Sequence, residues 1–170
     1  MSIALIAIPN WEEGAASWID AIRRTHDPQH GMVPAHVTLV FPTESLSEAT
    51  VSAAAAILAA SFAPFDIACD RLSWYSDPRG GKYPNLVYLH PDASSAWVLN
   101  EMREQLPQEG EFDPHVTLSR FGAVYSAKAF LRQFGEDVMP PARGRIDALH
   151  LLAIRNGQVS MLRHFALTGE

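Results

Sequence analysis

Apolar positions along the chain alternate between strand-like and helix-like spacing, and the changes of period mark out a series of elements. Ser2 to Ile8 is a short apolar run closed by Pro9 and predicts a strand, while Trp11 to Arg24, with Glu12 and Glu13 near its start, has helical length and spacing. Thr25 to Ala35 holds Pro28, Gly31 and Pro34 and reads as a loop feeding a strand from His36 to Phe41. Ser45 and Glu48 fit a capping box ahead of an alanine-rich helix over Ala49 to Ser61. Phe65 to Trp74 and Leu86 to His90 predict strands on either side of the polar turn Asp77 to Lys82, which includes Gly80-Gly81. Ser94 to Gln105 predicts a third helix, followed by the acidic Pro107 to Pro114 and a strand from His115 to Ser119. A fourth helix over Ser126 to Phe134 ends at Gly135 and the Pro140-Pro141 pair. Ile146 to Ile154 and Val159 to Leu167 flank Asn156-Gly157, a strong hairpin signal. The order is that of an α+β fold with several antiparallel strands.

Composition adds size and context. With 170 residues, 48% hydrophobic and 19% charged, the chain can bury a core without disulfides or a structural metal. No low-complexity linker divides it, so residues 1–170 are expected to form a single domain, within which the acidic 107–113 stretch could join two lobes. The longest purely apolar stretch, Ala53 to Ala60, falls far short of the roughly 20 residues that span a bilayer, and Met1 to Pro9 lacks a basic signal-peptide start. A cytoplasmic protein without a membrane partner is expected. Cys69 stands alone, which excludes an internal disulfide and a Cys-rich zinc ribbon.

Charge narrows the partners. Residues 1–113 carry six Lys/Arg against fifteen Asp/Glu, and residues 114–170 carry seven against four, so −9 and +3 give the net −6. Duplex binding depends on neutralising many phosphates and does not suit this balance. A short anionic ligand held by a few local groups does.

The informative feature is a repeat. His36-Val37-Thr38-Leu39 recurs as His115-Val116-Thr117-Leu118, each copy following a proline-containing approach. Average residue usage would place an identical second tetrad in a chain of this length on the order of once in a thousand cases, so chance is a poor account. In a strand, residues i and i+2 share a face, so each copy presents an imidazole and a hydroxyl from one face and anchors Val and Leu on the other. Imidazole serves as base or acid near neutral pH, and a Thr hydroxyl donates to a phosphoryl oxygen. If the copies face one another, the set suits phosphoester chemistry without a metal.

The doubled His-x-Thr-Leu motif resembles that of the two-histidine (2H) phosphoesterase superfamily, in its 2'-5' RNA ligase-like branch. The resemblance runs from the first strand to the last hairpin. It implies a bilobal, pseudo-twofold fold of two antiparallel sheets with outer helices around a central cleft. It also implies a monomer that needs no metal or cofactor and acts on the 2',3'-cyclic phosphate or 2'-5' phosphodiester of a small nucleotide or RNA end. His36 and His115 would then be general acid and base, in an order left open, and Thr38 and Thr117 would hold phosphoryl oxygens. The alternative is a nucleotide- or RNA-end-binding module that keeps the cleft without turnover.

Four further residues are candidate substrate contacts. Arg120 lies five residues after His115, where the family often has a phosphate-contacting arginine. Strict alternation sends it to the opposite face unless the strand ends or bulges near Ser119, in which case a surface salt bridge is not its only use. Phe41 occupies the matching place after His36 and either lines the cleft or packs in the core. Lys82 and Tyr83, on the loop after Trp74, could reach a phosphate and stack a base, although an ordinary hairpin loop accounts for them too. His26 and His30 are four apart, but Pro28 between them argues against a helical metal pair. His90, His150 and His164 have no partner motif.

Overall fold

The computed structural model describes every residue except Gly80 and Glu136, and the backbone alone of residues 137–140. Among the described residues four helices and nine strands follow in the order β1 (Ser2–Ala7), β2 (Asn10–Trp11), α1 (Glu13–His26), β3 (Val37–Thr43), α2 (Glu48–Ser61), β4 (Phe65–Ser76), β5 (Asn85–Pro91), α3 (Ala93–Glu104), β6 (Val116–Phe121), α4 (Val124–Phe134), β7 (Asp137–Ile146), β8 (Ala148–Arg155) and β9 (Gln158–Ala166). No helix among the described residues is long and apolar enough to cross a membrane.

The family resemblance implies two antiparallel sheets, but hydrogen bonding joins the nine strands into one, in the order β2-β7-β4-β5-β6-β3-β1-β8-β9. Its ladders are antiparallel, and the centre is thin: β3 and β6 share a single registered pair, Val37 opposite Val116. Each half is built alike. β3 is flanked by β1 and then β8, and β6 by β5 and then β4. After β3 the chain crosses at once to the other half, where β4 pairs with β5, whereas after β6 it first adds β7 beside β4 and then crosses, so that β8 pairs with β1. Duplicate motifs thus meet at the midline of an interlocked sheet.

The helices cover the apolar face. Ala15, Ile19 and Arg23 bury one stripe of α1, with Glu13 in its first turn and Arg23, Arg24 and His26 in its last, matching the helix dipole. The sequence reading places the α2 cap at Ser45, but Ser47 is the cap, accepting from Thr50 N at 3.0 Å, while Ser45 pairs with Thr43. Glu48 is then the first helical residue and cannot reach back as the third-position partner of a capping box. Asp92 caps α3 through Ser95 N, and Gly135 ends α4 at φ 80°.

Two further boundaries differ from the sequence reading. Trp11 belongs to the two-residue β2 rather than to α1. The Pro140-Pro141 pair conceals a strand, β7, whose registered pairs with β4 fall on either side of the prolines, Arg71 with Asp137 and Cys69 with Ala142. Proline cannot donate to a ladder, and it is tolerated where the pairing is interrupted. The last hairpin turns as expected, with Asn156 at φ 52° and Gly157 at φ 76°, the left-handed pair that a two-residue turn requires. Gly80 of the expected Gly-Gly turn lies outside the described residues.

Candidate active site

Strand alternation builds the site. Val37 and Val116 are fully buried and face the helices, so His36, Thr38, His115 and Thr117 point the other way, into a cleft of about 660 Å³ that all four line. In each copy the ring Nδ1 lies against the carbonyl two residues back, His36 on Pro34 O at 2.8 Å and His115 on Asp113 O at 2.7 Å. A carbonyl only accepts, so Nδ1 must carry the proton. In the neutral ring Nε2 is therefore the basic nitrogen in both histidines. The proline-containing approach to each motif thus fixes the same tautomer twice.

A bulge follows each motif at the same place. On β3, Ile6 pairs with Thr38 and Leu5 with Val40, skipping Leu39; on β6, Tyr88 pairs with Thr117 and Val87 with Ser119, skipping Leu118. An extra residue reverses the alternation beyond it. Ser119 turns into the core, fully buried, while Arg120 and its counterpart Phe41 line the cleft.

Each half braces the other. Arg120 donates to Asp27, whose side chain is wholly buried and also accepts from Arg23 Nε at 2.9 Å. Arg23 in turn holds Val33 O at 2.9 Å, which fixes the loop that delivers His36. On the opposite side Gln108 pairs with both backbone groups of Phe41, at 2.7 and 3.0 Å, and takes a bond from buried Arg103 at 3.1 Å. Arg120 is therefore neither free nor part of a surface pair; it is a cleft cation tethered to a buried carboxylate.

The loop residues divide. Tyr83 lines the cleft, with Arg79 and Gly81 beside it. Lys82 does not: it is exposed, and its ammonium lies over the Tyr83 ring, 5.3 Å from the centroid. Two tyrosines that the sequence reading does not single out surround His115, Tyr88 at 5.0 Å and Tyr75 at 5.9 Å between ring centroids. His90 packs on Tyr88 in the same row. The alternation Leu86, Tyr88, His90 in a predicted strand is the available signal for Tyr88 and His90, whereas Tyr75 lies one residue past the predicted end of its strand. Asp27 had none, since it lies in a loop 93 residues from its partner. His26 packs against Phe121 and Phe130, and His30 bonds Asp20 at 2.7 Å, so they form no metal pair. Among the described residues no group of three or more His, Cys, Asp or Glu side chains could hold a metal ion.

The sequence profile of the 2'-5' RNA ligase superfamily matches residues 11–158. The chain belongs to this superfamily. It is 27% identical over 165 residues, 89% of this chain and 88% of the other, to GK0864 of Geobacillus kaustophilus (strain HTA426), which carries a provisional phosphoesterase assignment. Solved structures share the fold across nearly the whole chain. They include TT0787 of Thermus thermophilus (TM-score 0.61, 20% identity, 100% of each chain) and Usb1 of Kluyveromyces marxianus (0.64, 13%, 97% of this chain and 98% of that one). E. coli LigT in apo form is also similar (0.55, 20%, 98% of each), and LigT has been solved with phosphate and with 3'-AMP. Membership places the chain among phosphoesterase- and ligase-type enzymes.

Within this superfamily member the two imidazoles are held in unequal fields. Burial at the cleft floor pushes His36 down to about 4; the Pro34 carbonyl opposes the shift, and the charges of Arg23, Arg120 and His115 add to it. Burial also lowers His115, but there both the Asp113 carbonyl and the Asp113 carboxylate favour the cation, against His90 and Arg120.

Two outcomes follow. Asp27→Ala leaves Arg23 buried without its anion and is expected to lower unfolding free energy by about 3–5 kcal/mol in urea melts, whereas a loss below about 1 kcal/mol would contradict the brace. His36 binds its proton more weakly folded than unfolded, so its contribution is complete above about pH 6.5 and is lost as pH falls towards 4. The stability difference between wild type and His36→Gln should shrink steadily over that range; a difference constant with pH would contradict the desolvated ring.

Proposed function

We propose that this protein is a metal-independent phosphoesterase that opens the 2',3'-cyclic phosphate of a small nucleotide or RNA end to a 2'-phosphate, with a 2'-5' phosphodiester as the related substrate. The observation that carries the reading is the pair of Nδ1-pinned imidazoles whose Nε2 atoms are the basic nitrogens of one cleft, each next to a Thr hydroxyl.

His36, neutral at working pH beside Arg23 and Arg120, accepts a proton from water at Nε2 as the water oxygen bonds to phosphorus. The phosphorus–O3' bond breaks, and O3' takes the proton from Nε2 of His115, whose cation Asp113 favours. Thr38, Thr117 and Arg120 donate to the non-bridging oxygens, where negative charge builds. Arg120 arrives pre-positioned, because Asp27 already holds it. The phosphate- and 3'-AMP-bound forms of LigT support a nucleotide-sized ligand in a cleft of this fold. As the partner we take a small nucleotide or RNA terminus rather than duplex DNA, in keeping with the net charge of −6.

The test is turnover of a nucleoside 2',3'-cyclic phosphate in excess EDTA. Wild type should release the 2'-phosphate, and His36→Ala and His115→Ala should each lower kcat/KM by roughly two to four decades. With both imidazoles lowered, the kcat/KM optimum should lie on the acid side of 6.5. Activity abolished by EDTA, or unaffected by either substitution, would overturn the reading. Ligand binding without turnover would instead favour a binding module.

A further inference from the structure

Pseudo-symmetry allows the two walls of the cleft to be compared residue by residue. Beside the first motif, Thr38 pairs with Ile6, and Ile6 with His150. Beside the second, Thr117 pairs with Tyr88, and Tyr88 with Ser73. Two residues along, Ala4 faces Leu152 in the first half, where Leu86 faces Tyr75 in the second. At the strand ends Ser2 faces Ile154, and the corresponding position of β4 extends to Asp77, whose N–H bonds Pro84 O at 2.8 Å. The catalytic quartet is duplicated, but its surroundings are not. Phe41 stands for Arg120, Ile6 for Tyr88, Leu152 for Tyr75 and Ile154 for Asp77.

The first wall is therefore aliphatic apart from Phe41 and His150, and it is covered at its base, where Ala4, Ile6, Val33 and Leu152 are buried, and open at its rim. Ala4, Ile6, Leu152 and Val33 form their own apolar cluster, separate from the main core, with Ile154 and Val159 packed on it only half-buried. Met32, at the rim, is 54% exposed. On the second wall the tyrosines already have partners. Tyr75 is edge-packed on Tyr88 and His115, and Tyr83 lies under the Lys82 ammonium. Asp77 places a carboxylate there, held by Arg79 N at 2.8 Å.

We infer that the aliphatic rim of this wall, formed by Ile154, Val159 and Met32, is a base subsite: it takes the nucleobase of the nucleotide whose phosphate lies on the histidine–threonine quartet, and it accepts all four bases with little discrimination. The inference rests on the proposed phosphate site. A planar base gains by covering the exposed aliphatic surface of this rim, which lines the same cleft as the quartet, at about 25 cal/mol per Å² of apolar area removed from water. Base identity is read by donors and acceptors, and the strand wall formed by Ile6, Leu152, Ile154 and Val159 carries none on its side chains. The polar wall then faces the sugar hydroxyls and solvent.

Calorimetric affinities test this without requiring turnover. The four nucleoside 2'-monophosphates should bind roughly 10- to 100-fold more tightly than ribose 2-phosphate and lie within about tenfold of one another. Ile154 and Val159 are cross-strand partners near the last turn, and the double variant Ile154→Ser/Val159→Ser should reduce the nucleoside advantage to below about threefold. Tyr83→Ala should leave that advantage intact. An advantage lost in Tyr83→Ala and kept in the serine variant, a spread among bases above a hundredfold, or no advantage at all would overturn the inference. Phosphate binding without a base advantage refutes the subsite alone, whereas a base advantage without turnover of cyclic phosphates upholds the subsite and refutes the proposed reaction.

Discussion

One point of contact between β3 and β6, Val37 against Val116, sets the geometry of everything that faces the cleft. With these valines fixed on the helix side, alternation leaves no choice for the residues flanking them, and two imidazoles and two hydroxyls must share the other face. Because only one pair is registered, the strands diverge on either side of it and leave space at the midline. A longer ladder would close the sheet where the cleft now opens. The bulges at Leu39 and Leu118 act within the same constraint, each adding a further residue to a face that already holds two.

Placing basic groups in such a cleft costs solvation, and the structure meets that cost differently at its two ends. Arg120 pairs with the buried Asp27 carboxylate, whose shell Arg23 and a backbone N–H complete. The histidines have weaker compensation, a carbonyl each, and their proton affinity falls accordingly. Asp113 beside His115 has no equivalent beside His36. A symmetric scaffold thereby acquires two imidazoles of different character, which is what a reaction needing one base and one acid requires.

Much of this was legible in the chain because it is local. The repeated tetrad, its strand parity and the Asn156-Gly157 turn depend on residues within a few positions of one another. Even the bulge after Thr117 could be posed as a condition for Arg120 to reach the cleft. What could not be read was decided by distant partners. The β7 strand hides behind Pro140-Pro141 because those prolines fall in a gap of its pairing with β4, and that gap exists only once the sheet is assembled. Asp27 looks like any loop carboxylate until α1 and β6 close on it. The contrast between the aliphatic and tyrosine walls likewise emerges only when β1 is set against β5 and β8 against β4.

The proposed reaction requires both imidazoles to present a basic Nε2 to the same ligand. Nitrogen-15 NMR of histidine-labelled protein, titrated with inorganic phosphate, tests it most directly. His36 and His115 should both be Nδ1–H tautomers in the free protein, and both Nε2 resonances should shift together along one saturation curve. An Nε2–H tautomer at either ring, or phosphate moving one resonance and leaving the other in place, would contradict it.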